Sequence, residues 1–124
     1  MATAIPFKLI TPAKTVFDGE AELVIAVTTE GEEGILANHA PFLSALKPGV
    51  LRANVSENGA SRRLEMATGE GFMQALPDRI TVLVDEALEF DDIDIAAARR
   101  ELEEAKDQRS VDFANAKLRL AGQK

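Results

Sequence analysis

The hydrophobic period changes once along this chain, and no other feature constrains the fold as much. From residue 5 to about residue 88, apolar residues come in short runs bounded by turn signals, the pattern of β-strands. From about residue 89 they recur every three or four residues, with neither Pro nor Gly before Gly122, the pattern of helices. One switch of period predicts β plus α: an N-terminal antiparallel β-sandwich or barrel over 1–88, then a C-terminal antiparallel two-helix hairpin over 89–124. The 124 residues suit one ordinary domain, or a small domain with an appendage.

The strand runs are FKLITP, TVFDGE, ELVIAVTTE, GILANH, PFLSAL, VLRANVS, RRLEMATG, GFMQALP and RITVLVDEA. Asp18-Gly19 reads as a tight turn, Asn58-Gly59 as a two-residue hairpin loop and Pro77-Asp78 as a further turn. ELVIAVTTE is almost continuously apolar, as expected of a strand covered on both faces. In the last run Ile80, Val82 and Val84 alternate with Thr81, Leu83 and Asp85. Spacing near ten residues favours a sandwich or barrel.

In the helical part, Ile95, Ala98, Leu102 and Ala105 form one apolar stripe, and Val111, Ala114, Leu118 and Ala121 a second, widened by Phe113, Ala116 and Leu120. Asp91 or Asp92 is expected to cap the first helix, with Asp94 adding charge to its first turn. Residues 107–110 read as the connection and Gly122 as a stop. The first helical segment is acidic and the second basic. Alanine-rich stripes allow close approach, but a lone two-helix hairpin is marginal and must dock on something.

Composition excludes several classes of function. There is no Cys, Trp or Tyr, and the net charge is −7. Thiol chemistry and disulfides are out, and an acidic chain poor in aromatics is a poor nucleic-acid binder. No segment reaches the roughly 20 apolar residues of a membrane span, so membrane association is expected only through partners. No phosphate-binding loop, dinucleotide fingerprint or nucleophile elbow is present. Metal ligands and cofactors are not expected. The one histidine, His39, stands in Asn-His-Ala-Pro, where Pro41 holds the preceding backbone extended. It could be a base, a ligand or a loop anchor, and the last fits a turn between strands best.

The segment from Glu30 to Leu43, EGEEGILANHAPFL, resembles the EG-x-x-G-[ILV]-x-x-x-H-x-P-[LF]-[LV] segment of the epsilon subunit of F-type ATP synthases. Four further pieces resemble that family in the same order: Phe7 to Pro12 with Val16 to Ala21, Leu46 to Gly49, Gly69 to Phe72, and Ile80 to Ala87. The motif resemblance spans about Phe7 to Arg99. It implies a non-catalytic rotor subunit of the central stalk, coupling proton translocation to ATP synthesis. Its sandwich would join the gamma subunit to the membrane c-ring, and its hairpin would reach the alpha/beta catalytic subunits when extended. By that resemblance Thr29, Glu30, Gly31 and Glu32 match the ring-facing loop, and His39, Ala40 and Pro41 the segment near gamma and the ring. Arg109, Lys117, Arg119 and Lys124 match the basic regulatory arm.

Two departures refine this expectation. Some members bind ATP through I-D-x-x-R-A; here Ile93 and Asp94 are present, but Ala97 stands where the Arg belongs. Without that guanidinium no useful ATP binding is expected. The final helix is also short and sparsely basic, which implies weak inhibition of ATP hydrolysis. The alternative class is a small nucleotide-sensing regulatory module. The expected location is peripheral, on the cytoplasmic face of a bacterial inner (or photosynthetic) membrane.

Overall fold

The computed structural model describes residues 4–37 and 40–122. Among the described residues nine strands precede two helices: β1 (Ile5–Ile10), β2 (Thr15–Thr28), β3 (Gly31–Leu36), β4 (Phe42–Leu46), β5 (Gly49–Glu57), β6 (Ala60–Thr68), β7 (Gly71–Leu76), β8 (Arg79–Val84), β9 (Ala87–Leu88), α1 (Ile95–Glu104) and α2 (Gln108–Gly122). The expected order of a β-sandwich followed by a helical hairpin is what the chain adopts.

The strands run β1-β8-β7-β4-β2-β5-β6-β9, β3 joins β2, and β1 also pairs with β2. The sheet therefore curls back on itself around one core. Phe7, Leu9, Val24, Leu51, Leu64, Met66, Met73, Ile80 and Val82 fill that core and are almost fully buried. The pairing is antiparallel except between β1 and β8, where Phe7 to Ile10 run parallel to Ile80 to Leu83. A wholly antiparallel reading misses that closure, because β1 and β8 are distant in sequence and no turn signal links them.

Asp18-Gly19 is not a turn. It lies inside β2, where Asp18 and Gly19 pair with Lys8 and Phe7. A β-carbon on Gly19 would stand 2.8 Å from the Phe17 ring. The missing side chain lets Phe17 fold over its own strand and meet Phe7, ring centroids 5.6 Å apart. Asn58-Gly59 does turn between β5 and β6, both residues at positive φ (54° and 82°), as a two-residue hairpin loop demands. Along ELVIAVTTE, Val24, Ala26 and Thr28 are buried and Leu23, Ile25 and Val27 half-buried, so both faces are largely covered.

The helix boundaries differ from expectation by a few residues. Asp94, not Asp91 or Asp92, caps α1, its carboxylate accepting from the Ala97 N–H at 3.1 Å. Asp92 serves a short 3-10 turn over Phe90–Asp92, accepting from the Glu89 N–H. The connection is 105–107, and Asp107 begins α2 by accepting from the Ser110 N–H at 2.8 Å. Three acids within four residues are equivalent candidates by composition. Backbone geometry chooses the one whose extended φ and ψ precede the first helical turn.

A second, smaller core joins α2 to the outer face of β5 and β6. Val50 and Ala67, which pair across those strands, meet Ala116 and Leu120, with Ile93 and Phe113 at the margin. The helix α1 packs chiefly on α2, so sheet, α2 and α1 form successive layers.

Candidate interaction surfaces

The tip of the β2–β3 hairpin is built on a buried threonine. The Thr28 side chain donates to the Gly31 carbonyl at 2.8 Å and accepts from the Glu30 N–H at 3.1 Å. Only Thr29 and Glu30 form the turn; Gly31 and Glu32 already belong to β3, paired with Thr28 and Val27. Gly31 has φ of 120°, which a side chain would resist. Two backbone bonds tie the base of the tip to its neighbours: Thr29 N–H to the Ala45 carbonyl, and Lys47 N–H to the Val27 carbonyl. Arg52 reaches across β2 to Glu32 at 2.8 Å, so this carboxylate is engaged within the chain. What remains at the tip is a rigid, exposed turn bearing Glu30, with Glu33 exposed on the adjoining strand.

Ala40 and Pro41 lead into β4 and are exposed; His39 lies outside the described residues. Lys124, expected in the basic arm, lies outside them too.

Two of the arm's three described basic residues are engaged in this conformation. Arg109 pairs with Glu70 on the β6–β7 turn at 3.0 Å. That carboxylate raises the affinity of the guanidinium for its proton. Lys117 is buried against α1, paired with Glu101, its ammonium over the Phe113 ring at 4.6 Å. Arg119 is exposed. Lys47, in the β4–β5 turn, also reaches Asp112 of α2 at 3.8 Å.

The degenerate nucleotide motif has local structural work. Ile93 is half-buried in the α2 seam, Asp94 is the α1 cap, and the Ala97 N–H receives that cap. Arg99 and Arg100 both face solvent.

One surface escaped sequence reasoning. Leu43 on β4, Phe72 on β7 and Leu83 on β8 are 69%, 55% and 50% exposed. Phe72 lies opposite Leu83 on one side and Ala45 on the other, a row of apolar residues across the outer face of β4-β7-β8, and Leu43, two residues from Ala45 and opposite Gln74, adds to the same face. A shallow apolar pocket lined by Ile10, Pro12, Gly71 and Leu83 extends it toward β1. The signal was present in GFMQAL, where apolar Phe72 and Met73 are adjacent and so must point to opposite faces.

Comparison with known proteins assigns this architecture to a class. Residues 4–90 match the family described as ATP synthase, Delta/Epsilon chain, beta-sandwich domain. The ATP synthase epsilon chain of Teredinibacter turnerae is 39% identical over 127 residues, covering 98% of this chain and 88% of that one. The sodium ion specific ATP synthase epsilon chain of Propionigenium modestum is 34% identical, covering 99% and 96%. A chain from the central stalk and c-ring of the Tetrahymena thermophila mitochondrial ATP synthase shares the fold, with a TM-score of 0.66 at 20% identity over 98% of this chain and 96% of that one. The protein belongs to the ATP synthase epsilon-chain family.

Proposed function

We propose that this chain is a non-catalytic central-stalk subunit of an F-type ATP synthase, joining gamma to the c-ring and coupling proton translocation to ATP synthesis. The observation that carries this reading is the inequality of the two outer sheet faces. One is covered by the chain's own α2; the other bears Leu43, Phe72 and Leu83 uncovered by any described element. An uncovered apolar row on so small a chain is a partner surface. We take gamma as its occupant, a reading that membership of the epsilon-chain family supports. The rigid tip at Thr29 and Glu30, with Gly31 and Glu32 behind it, is the contact to the c-ring, and Ala40 and Pro41 lie near both. A contact of this size needs gamma to hold it in place.

The sandwich over 1–88 and the hairpin over 89–124 act as separate units, and the hairpin is a weak regulatory arm toward the alpha/beta subunits. Among the described residues no helix is long and apolar enough to cross a membrane. We place the chain at the membrane through its partners, on the cytoplasmic face of a bacterial inner or photosynthetic membrane.

The test is co-purification with gamma, followed by cross-linking from a probe at Glu30 in the assembled enzyme. Adducts to the membrane ring are expected. Adducts confined to the alpha or beta subunits would overturn the orientation.

A further inference from the structure

The hairpin is seated on a narrow base. Its apolar seam on the sheet consists of Val50 and Ala67 against Ala116 and Leu120, with Ile93 and Phe113 beside them. Two of these residues are alanines on the sheet or helix side and contribute little area. The α1 helix adds chiefly to α2, not to the sheet. A layer held by so little apolar contact undocks more readily than the core beneath it unfolds.

Charge is placed at the far end of that seam. The arm leaves the sheet at 89–94, and the connection at 105–107 lies one helix length away, about 15 Å at 1.5 Å per residue. Just past this elbow Arg109 meets Glu70 at 3.0 Å, and one turn further Asp112 meets Lys47 at 3.8 Å. The two sheet residues belong to different turns, β6–β7 and β4–β5.

The turn carrying Glu70 is rigid. Its backbone is fixed by Gly69 N–H to the Glu86 carbonyl at 3.0 Å and by Asp85 N–H to the Glu70 carbonyl at 2.9 Å. A β-carbon on Gly71 would stand 1.8 Å from the Leu83 carbonyl oxygen, so β7 starts flush against β8. Glu70 is therefore presented on a fixed platform. Asp85 and Asp107 add negative potential around the guanidinium. Arg109 pays less ordering entropy toward such a site than toward two mobile partners.

We propose that Glu70–Arg109 and Lys47–Asp112 form an electrostatic clasp at the elbow, and that this clasp sets how often the hairpin undocks from the sheet. It rests on the reading, proposed above, of the hairpin as a separate regulatory arm, and takes that arm to move. It locates the control of that movement at the elbow, away from the hinge and away from the helix stripes. Exposed pairs of this kind each shift an equilibrium about two- to five-fold. The Glu70 turn also runs directly into Gly71 and Phe72, so the clasp stands at the edge of the uncovered apolar row.

The chain has no cysteine, so spin labels can be placed by Asn115→Cys on α2 and Asp78→Cys on the β7–β8 turn without background. Dipolar distance measurements on the full chain give the docked and undocked populations. Glu70→Gln and Arg109→Gln are each expected to raise the undocked population about two- to five-fold at low salt, and the double variant no further than either single. Lys47→Gln adds its own increment independently. In about 1 M salt, where screening acts within about 3 Å, the parent approaches the variants. Additive effects of Glu70→Gln and Arg109→Gln, or populations unchanged by both, would overturn the clasp. ATP hydrolysis by the assembled enzyme carrying Glu70→Gln, which breaks the same pair and leaves the arm's own basic residues intact, separates the two readings. Unchanged hydrolysis with altered distances supports both the clasp and a weak arm. A several-fold fall with altered distances leaves the clasp standing and overturns the weak arm.

Discussion

Gly71 has no space for a β-carbon, because the Leu83 carbonyl oxygen would lie 1.8 Å from it and is held by the β7–β8 ladder. Gly71→Ala is therefore expected to cost about 1–3 kcal/mol in urea unfolding, the range of forced overpacking. Gly34 is a useful contrast. Its β-carbon would meet Leu23 and Ile25 at ordinary contact distances of 3.6 and 3.8 Å. Gly34→Ala should stay within about 0.5 kcal/mol, and equal losses at both sites would contradict this packing. Asp107 gives a pH signature at the same scale. Hydrogen bonds from Ser110 hold its carboxyl below the usual range. A depressed folded value means the cap stabilises above the unfolded value, about 3.9, and is lost as pH falls through the folded one. Exchange protection of the Ser110 amide should fall below about pH 4, and Asp107→Asn, which keeps an acceptor, should abolish that dependence. Protection unchanged down to pH 2 would count against the cap.

At the scale of elements, the switch from strands to helices was legible because the two periods are physically distinct. The Asn58-Gly59 loop was legible because two consecutive positive φ values have few other solutions. Asp18-Gly19 was not, since a glycine that frees φ and one that clears room for a ring look the same in sequence. Glu32 falls in the ring-facing loop by family resemblance, although pairing with Val27 puts it on β3 and Arg52 engages it. The alternation in β8 already sets Leu83 on the face opposite Ile80, Val82 and Val84, but the apolar face it shares with Leu43 and Phe72 was not legible, because local pattern does not say which face a partner will cover. The degenerate nucleotide motif belongs to this scale too. Ile93 and Asp94 are occupied in seam and cap, and Ala97 supplies no cation. Calorimetric titration with ATP should show no binding, and micromolar affinity would contradict this. Deleting residues 91–124 should leave ATP hydrolysis by the assembled enzyme nearly unchanged, whereas a several-fold rise would show a strong inhibitory arm.

The whole molecule is organised by its two sheet faces. The chain covers β5 and β6 with its own alanine-rich helices and leaves β4-β7-β8 apolar and open. That asymmetry suits a subunit held by a partner on one side and carrying a movable arm on the other. The rigid Thr29-Glu30 tip projects where it can touch a third body. The most direct measurement of this account is recovery of gamma with Leu43→Glu/Phe72→Glu. Both side chains are exposed, so the variant should unfold at a midpoint close to the parent's. The account predicts that gamma no longer co-purifies with this folded variant. Full recovery of gamma would show that the open face is not its seat.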